Sequence, residues 1–146
     1  MSRLWLRGGL AFLALTQVVV GAWQLLLPRS FYDDGPVPGH RWVALVPPYS
    51  EHLMRDVGAL NLGLAVVATV AAVTLQRLMV GTALAAYLVF SVPHLVFHAT
   101  HLEHFPRDEA IGQTISLAVG VVLPLALLTL NRRSAYARET PGSGPT

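Results

Sequence analysis

The sequence contains no cysteine and no lysine, and only 12% of its 146 residues are charged. Without cysteine, the chain has neither a disulfide framework nor a thiolate metal site. It also lacks a glycine-rich phosphate-binding loop and a serine-nucleophile motif. Its ten basic residues are all arginine, and they form only short sets beside apolar segments. We therefore expect no nucleic-acid partner.

Apolar residues are what the chain has in excess, because 53% of it is hydrophobic. The excess is concentrated in four uncharged runs of at least 19 residues each. About 20 residues in a helix are needed to cross a hydrocarbon core of about 30 Å. We therefore predict an all-α membrane protein in contact with the lipid bilayer, a bundle of four transmembrane helices. The predicted spans are residues 8–27, 57–75, 78–102 and 110–130.

The first apolar run resembles a secretory signal peptide, since Arg3 and Arg7 precede it. Its 20 residues exceed the usual apolar core of a signal peptide, so we expect it to be retained as a span. Residues 1–133 then form one transmembrane domain, which includes a proline-rich outer segment at 28–56. The polar residues 134–146 are predicted to be a disordered cytoplasmic tail.

The arginines predict the orientation of the spans. Six of them lie before the first span, between the second and third spans, or after the fourth, while seven of the eight acidic residues lie on the other side. Positively charged residues in short loops stay in the cytoplasm. We therefore predict that the amino and carboxyl termini are both cytoplasmic. The six arginines are residues 3, 7, 77, 132, 133 and 138.

All six histidines lie on the predicted outer side of the membrane. Four of them, at positions 94, 98, 101 and 104, occupy the outer end of the third span. At 100° per residue they form one stripe about 120° wide on a helix. His94 lies about 24 Å along the helix from Leu78, so the stripe begins below the outer membrane surface.

This histidine stripe predicts a metal site, with haem binding and proton relay or pH sensing as alternatives. Imidazoles spaced three or four residues apart on a helix can converge on one ion, and a carboxylate can complete the ligand set for zinc, iron or copper. A haem with axial histidines from facing helices is an alternative, and so is proton relay or pH sensing. The predicted metal ligands are His94, His98, His101, His52 and Asp56.

Polar residues of the other spans lie at matching depth. Polar groups inside a membrane are costly and turn toward the bundle interior or a water-filled cavity. We therefore predict a pocket that opens to the extracytoplasmic side. Its predicted lining residues are Gln24, Asn61, Gln113 and Thr114.

Gly112, Ser116 and Gly120 recur at intervals of four on the fourth span. Small residues at this spacing allow another helix to approach closely. We expect this stripe to pack inside the bundle, or against a second copy of the chain in a homodimer.

The four spans, the short inner turn at Gln76-Arg77 and residues 55–63 (RDVGALNLG) are similar to small bacterial membrane proteins of the DoxX-like families. The resemblance covers residues 8–130 and implies a multi-pass protein of the bacterial plasma membrane. Residues 93–101 (PHLVFHATH) depart from DoxX itself, so its redox associations are not transferred. The four-helix sterol isomerase and sigma-2 receptor group is a more distant likeness. It implies a polar pocket within four spans for a lipophilic amine or sterol.

Three classes of function follow, and the sequence does not decide whether the protein is an enzyme. The first is a membrane protein that binds a divalent metal or haem in its histidine and carboxylate pocket. The second is a non-catalytic accessory subunit of a membrane complex, with a membrane protein as partner. The third is a binding protein or isomerase for a lipid, a quinone or a sterol-like molecule.

Overall fold

The computed structural model describes residues 2–46 and 48–139, and the regular elements in these ranges are all helices. A short 3₁₀ turn, Leu102–His104, precedes the last helix. The α-helices are α1 Ser2–Leu26, α2 Pro28–Asp34, α3 Glu51–Thr74, α4 Arg77–Ala99 and α5 Arg107–Glu139.

Four of these helices are long and apolar enough to cross a membrane, which confirms the prediction of four spans. The helices begin before the predicted spans, and two of their carboxyl ends also differ from the prediction. Helix α4 ends at Ala99 rather than near residue 102, because the hydroxyl and the amide of Thr100 both donate to the final carbonyls of the helix. Helix α5 continues to Glu139, so it includes the first six residues of the predicted tail; residues 140–146 lie outside the described ranges.

The outer segment, residues 28–56, is partly helical. Pro28 opens α2, where its missing amide hydrogen costs no helical hydrogen bond. The side chain of Ser50 accepts a hydrogen bond from the amide of Leu53 and caps the start of α3. Between these two helices, residues 35–46 cross the end of the bundle; we call this segment the roof.

Helices α1 and α3 make the closest contact in the bundle. A Cβ atom on Gly21 would lie 2.8 Å from the carbonyl oxygen of Gly58, and one on Gly58 would lie 2.7 Å from the amide nitrogen of Leu25. Real side chains do not reach such distances, so the two backbones touch because both residues are glycine. Beside this crossing, the side-chain amide of Asn61 donates to Gln24 Oε1 at 2.7 Å.

The bundle is tightly packed at the end opposite the roof, which we call the turn end because the α3–α4 connection lies there. Leu10 of α1, Leu84 of α4 and Leu127 of α5 belong to one buried cluster at this end. Two side chains also join helix ends here. Arg7 Nε donates to the carbonyl of Ala72 at 3.1 Å, and Asn131 Nδ2 donates to the carbonyl of Arg77 at 3.1 Å.

At Gly112 and Gly120, the glycines of the predicted packing stripe, no other helix within the described residues approaches closely, and packing against a second copy stays a prediction. A Cβ on Gly112 would meet the ring of Trp42 in the roof at 3.5 Å, and one on Gly120 would meet no atom within 4 Å. Helices α1 and α5 instead meet near the turn end, where a Cβ on Gly9 would lie 2.7 Å from Leu127. Small residues permit a close approach, but the packing elsewhere decides whether a helix fills the space.

The glycine crossing predicts a position-dependent effect of alanine. Gly58→Ala should lower the melting temperature in detergent, because the added methyl group forces α1 and α3 apart at a cost of about 1–3 kcal/mol. Gly63→Ala on the same helix is the matched control, since a Cβ there meets no atom within 4 Å. Alanine is the better helix former by about 1 kcal/mol, so the control should be neutral or stabilising. Equal losses at the two positions would contradict this account of the crossing.

Candidate functional site

A cavity of about 570 Å³ lies between the four long helices in the half of the bundle beneath the roof. Side chains of α1, α3, α4 and α5 form its walls, and Phe31 of α2 and the roof close the end that faces away from the turn end. Most of the lining is apolar. The polar side chains among the lining residues are Thr16, Gln17, Gln24, Asn61, Tyr87, Ser91, His94, His98, Gln113 and Ser116.

The roof is attached to the first turn of α5 through Glu109. Its carboxylate accepts a hydrogen bond from the indole Nε1 of Trp42 and lies 2.8 Å from Nδ1 of His40. Trp42 is only 7% exposed, because its ring faces the cavity and lies over Gly112. A carboxylate near the start of a helix is also favoured by the helix dipole. The hydrogen bond from Trp42 to Glu109 therefore attaches the roof to α5.

The upper part of the cavity contains two polar pairs. One is the bond between Asn61 and Gln24, and the other joins Gln113 Nε2 to His98 Nδ1 at 2.8 Å. The amide nitrogen of Gln113 can only donate, so His98 accepts at Nδ1 in this arrangement. Three of the four predicted pocket residues thus line the cavity. Thr114 does not, since its hydroxyl donates to the carbonyl of Ala110 within α5.

The predicted metal ligands are divided among three places. His94 and His98 line the cavity with ring centroids 4.6 Å apart, and the ring of Phe90 stacks on His94. His101 stacks on Phe97 at 4.2 Å and is hydrogen-bonded through Nδ1 to the Phe97 carbonyl.

The remaining two predicted ligands, His52 and Asp56, form an exposed pair at 3.2 Å on the first turns of α3. Their side chains are 88% and 58% exposed, so both point away from the cavity. The described part of the chain therefore contains no group of three or more histidine, aspartate or glutamate side chains placed to hold a metal ion. His101 lies beyond Ala99, where α4 has already ended, and it is not among the described residues that line the cavity.

The polar lining residues that were not predicted from the sequence include Gln17 of α1 and Ser91 of α4. Both are more than nine-tenths buried and line the cavity. Each lies about 12–14 Å below the roof end of its helix, which places the two at one depth. Their signal in the sequence was an uncharged polar residue within an apolar span, the feature that usually marks an inward-facing position.

Three buried atoms of this cavity have no hydrogen-bond partner: Gln17 Oε1, Ser91 Oγ and Gln113 Oε1. Each such atom costs about 1–3 kcal/mol relative to a satisfied one. None of the described lining residues is aspartate, glutamate or arginine. The site is therefore an apolar chamber with a few uncharged polar groups that can still form hydrogen bonds.

Loss of the Glu109 side chain should release the roof. In a Trp5→Phe, Trp23→Phe background, where Trp42 is the only tryptophan, Glu109→Ala should raise quenching of Trp42 by acrylamide about threefold or more, because a freed loop samples solvent. Glu109→Gln should restore most of the protection, since an amide oxygen still accepts from the indole.

The matched control for this experiment is Glu103→Ala, which removes a carboxylate that pairs with His104 at the surface. It should leave the quenching of Trp42 unchanged. An identical response to Glu103→Ala and Glu109→Ala would show that Glu109 does not hold the roof.

Models of known protein families, curated proteins and solved structures were compared with this chain, and none matches it. The likeness to DoxX-like proteins stays a prediction from the sequence.

Proposed function

We propose that this protein is an integral membrane protein that binds an uncharged lipophilic molecule bearing a hydroxyl or a similar hydrogen-bonding group. The ligand occupies the cavity beneath the roof. The observation that carries this proposal is the set of three unpartnered polar atoms, contributed by α1, α4 and α5, around one chamber.

The energetic argument begins from the solvent. A bilayer provides no water to satisfy a polar group in the hydrocarbon layer, so an unpartnered group there is more costly than at an aqueous surface. Methyl-bearing residues could replace Gln17 and Ser91 without this cost. Binding sites often lower the stability of the unliganded protein in exchange for function. The three unpartnered polar atoms around this cavity fit that pattern if a bound ligand forms their missing hydrogen bonds.

The lining favours a neutral lipophile. Small-molecule pockets are typically about 300–1,000 Å³, largely apolar, and contain a few placed polar groups. This cavity is about 570 Å³, and rings of Trp42, Phe90 and Phe97 line it. No charged carboxylate or guanidinium lines it among the described residues, so an ionised ligand would have no counter-charge.

A hydroxyl is the ligand group that fits these polar atoms. Gln17 and Gln113 present amides, and Ser91 presents a hydroxyl that can donate or accept. The unpartnered amide atoms are both oxygens, which accept. A ligand hydroxyl can donate to one of these oxygens and accept from the hydroxyl of Ser91. An alkane of the same size would leave all three atoms unpartnered.

The lipophilic-ligand hypothesis is better supported than the metal or haem hypothesis. The cavity is lined by two histidines that are neighbours on one helix, whereas a bis-histidine haem needs axial ligands on facing helices. His40 lies instead beside Glu109 above the cavity, and His52 is at the surface. His94 and His98 are therefore assigned to hydrogen bonding with the ligand, in company with Gln113.

Binding should depend on the hydroxyl and on Ser91. In the variant that retains only Trp42, a dibrominated C18 alcohol should quench the tryptophan that lines the cavity, and the dibrominated C18 alkane should quench it less. Ser91→Ala should weaken binding of the alcohol about three- to tenfold, which corresponds to one lost hydrogen bond.

The same Ser91→Ala substitution should raise the melting temperature of the unliganded protein, because it removes a buried polar atom that has no partner. Ser116→Ala is the control for stability, since the Ser116 hydroxyl donates to the carbonyl of Gly112 at 2.8 Å. Equal quenching by alcohol and alkane, together with a destabilised Ser91→Ala, would refute the proposal.

The orientation that we propose places the turn end in the cytoplasm and the roof on the extracytoplasmic side of a bacterial plasma membrane. Arg3, Arg7, Arg77 and Arg132 lie toward the turn end, and the positive-inside rule supports their retention in the cytoplasm. The cavity then lies in the outer half of the membrane.

Cysteine labelling tests this orientation cleanly, because the chain has no cysteine of its own. In intact cells, an impermeant maleimide should label Pro38→Cys in the exposed part of the roof. It should not label Gln76→Cys in the exposed α3–α4 turn until the membrane is permeabilised. The reverse pattern would invert the proposed orientation.

A further inference from the structure

We infer that the ligand reaches the cavity sideways, from the hydrocarbon layer of the membrane, through a slot between α1 and α5. This inference rests on the proposed function and identifies the source of the ligand as molecules dissolved in the bilayer. Phe12 on α1 and Ser116, Val119 and Gly120 on α5 border the slot.

The slot exists because α1 and α5 touch at one end only. At the turn end they are in contact, where Gly9 lies against the side chain of Leu127. Three residues beyond Gly9, Phe12 is 50% exposed although it also lines the cavity. On the facing helix, a side chain at Gly120 would have no atom within 4 Å. The wall between these two helices is therefore open.

Three of the four border residues combine two properties. They line the cavity, and Phe12, Ser116 and Val119 are also exposed on the outside of the bundle. A residue that faces both the cavity and the exterior lies at an opening. Small side chains at positions 116 and 120 keep this opening wide on the α5 side.

The depth of the slot identifies the source of the ligand. Phe12 and Gly120 each lie about 20 Å below the roof ends of their helices, well within a hydrocarbon core about 30 Å thick. Ser116 lies about 13 Å below the start of α5, at the level of Gln17 and Ser91. A molecule that enters here passes from acyl chains directly to the unpartnered polar atoms.

Other routes into the cavity are more obstructed. The roof is held to Glu109 by Trp42 and His40, and its tryptophan is buried. On the side between α3 and α4, both exposed lining residues, Leu53 and Phe97, are large, whereas α5 contributes the small residues Ser116 and Gly120 to the slot. The ring of Phe97 is further held by stacking on His101 at 4.2 Å.

The test measures rates as well as affinity. The full chain, with Trp42 as its only tryptophan, is reconstituted in phosphatidylcholine vesicles, and quenching by the dibrominated C18 alcohol is followed by stopped flow. Ser116→Phe should slow association and dissociation of the alcohol together by about tenfold, since the added ring obstructs the path in both directions. The ratio of the two rates gives the affinity, so a change in the bound state is measured separately.

Two further variants complete the experiment. Phe12→Ala should accelerate both rates, because it widens the slot. Ile115→Phe is the matched control for the added ring, since Ile115 is adjacent, 60% exposed and not among the lining residues. It should leave both rates unchanged.

The outcomes separate the slot from the proposed function. If the alcohol still quenches Trp42 at equilibrium, but its association and dissociation rates are unchanged in Ser116→Phe and Phe12→Ala, entry through the slot is wrong. The proposed binding function would remain. If Glu109→Ala greatly accelerates association of the alcohol and Ser116→Phe does not slow it, the ligand enters through the roof, which contradicts the slot. Absence of equilibrium quenching by the alcohol in the otherwise unchanged protein would overturn both.

Discussion

Hydrocarbon offers no hydrogen-bonding partner, and this constraint governs the structure from its helices to its cavity. The four long helices satisfy most of their own backbone groups, although Pro93 and Pro124 each remove one helical hydrogen bond. Polar side chains must find their partners through packing. Asn61 forms a hydrogen bond with Gln24 across the α1–α3 crossing, and Gln113 forms one with His98 across the α4–α5 contact. The polar atoms that find no partner, on Gln17, Ser91 and Gln113, are gathered around one chamber rather than scattered through the bundle.

Side-chain size divides the bundle into a packed half and an open half. At the turn end, Leu10, Leu84 and Leu127 fill the space between the helices. Toward the roof, the glycines at 21 and 58 draw α1 and α3 together, while α5 presents small residues to the cavity. Association in lipid depends on such packing because no hydrophobic effect drives apolar helices together. Small residues therefore have two effects in this bundle. Gly21 and Gly58 bring α1 and α3 into contact, whereas Gly120 leaves a gap because no other helix fills the space beside it.

The histidines show how far a pattern in sequence can be extrapolated. The stripe correctly brings His94 and His98 to one wall of a cavity, because both lie within α4. It fails for His101, since the helix has already ended at Ala99 and the backbone turns. His52 and Asp56 share a face of α3, as their spacing requires, but that face is exposed. Periodicity assigns residues to a common face without stating what the face contacts.

The sequence by itself determined that the protein is helical and has four segments able to span a membrane, because hydrophobic length and helical periodicity are local properties. It also located the depth at which polar residues gather, since depth follows from position along a span. Only the tertiary structure decided which neighbours those residues meet. The contact of Gly21 with Gly58, the hold of Glu109 on Trp42 and the isolation of Ser91 all depend on how helices distant in sequence pack, and single-helix patterns do not encode that geometry.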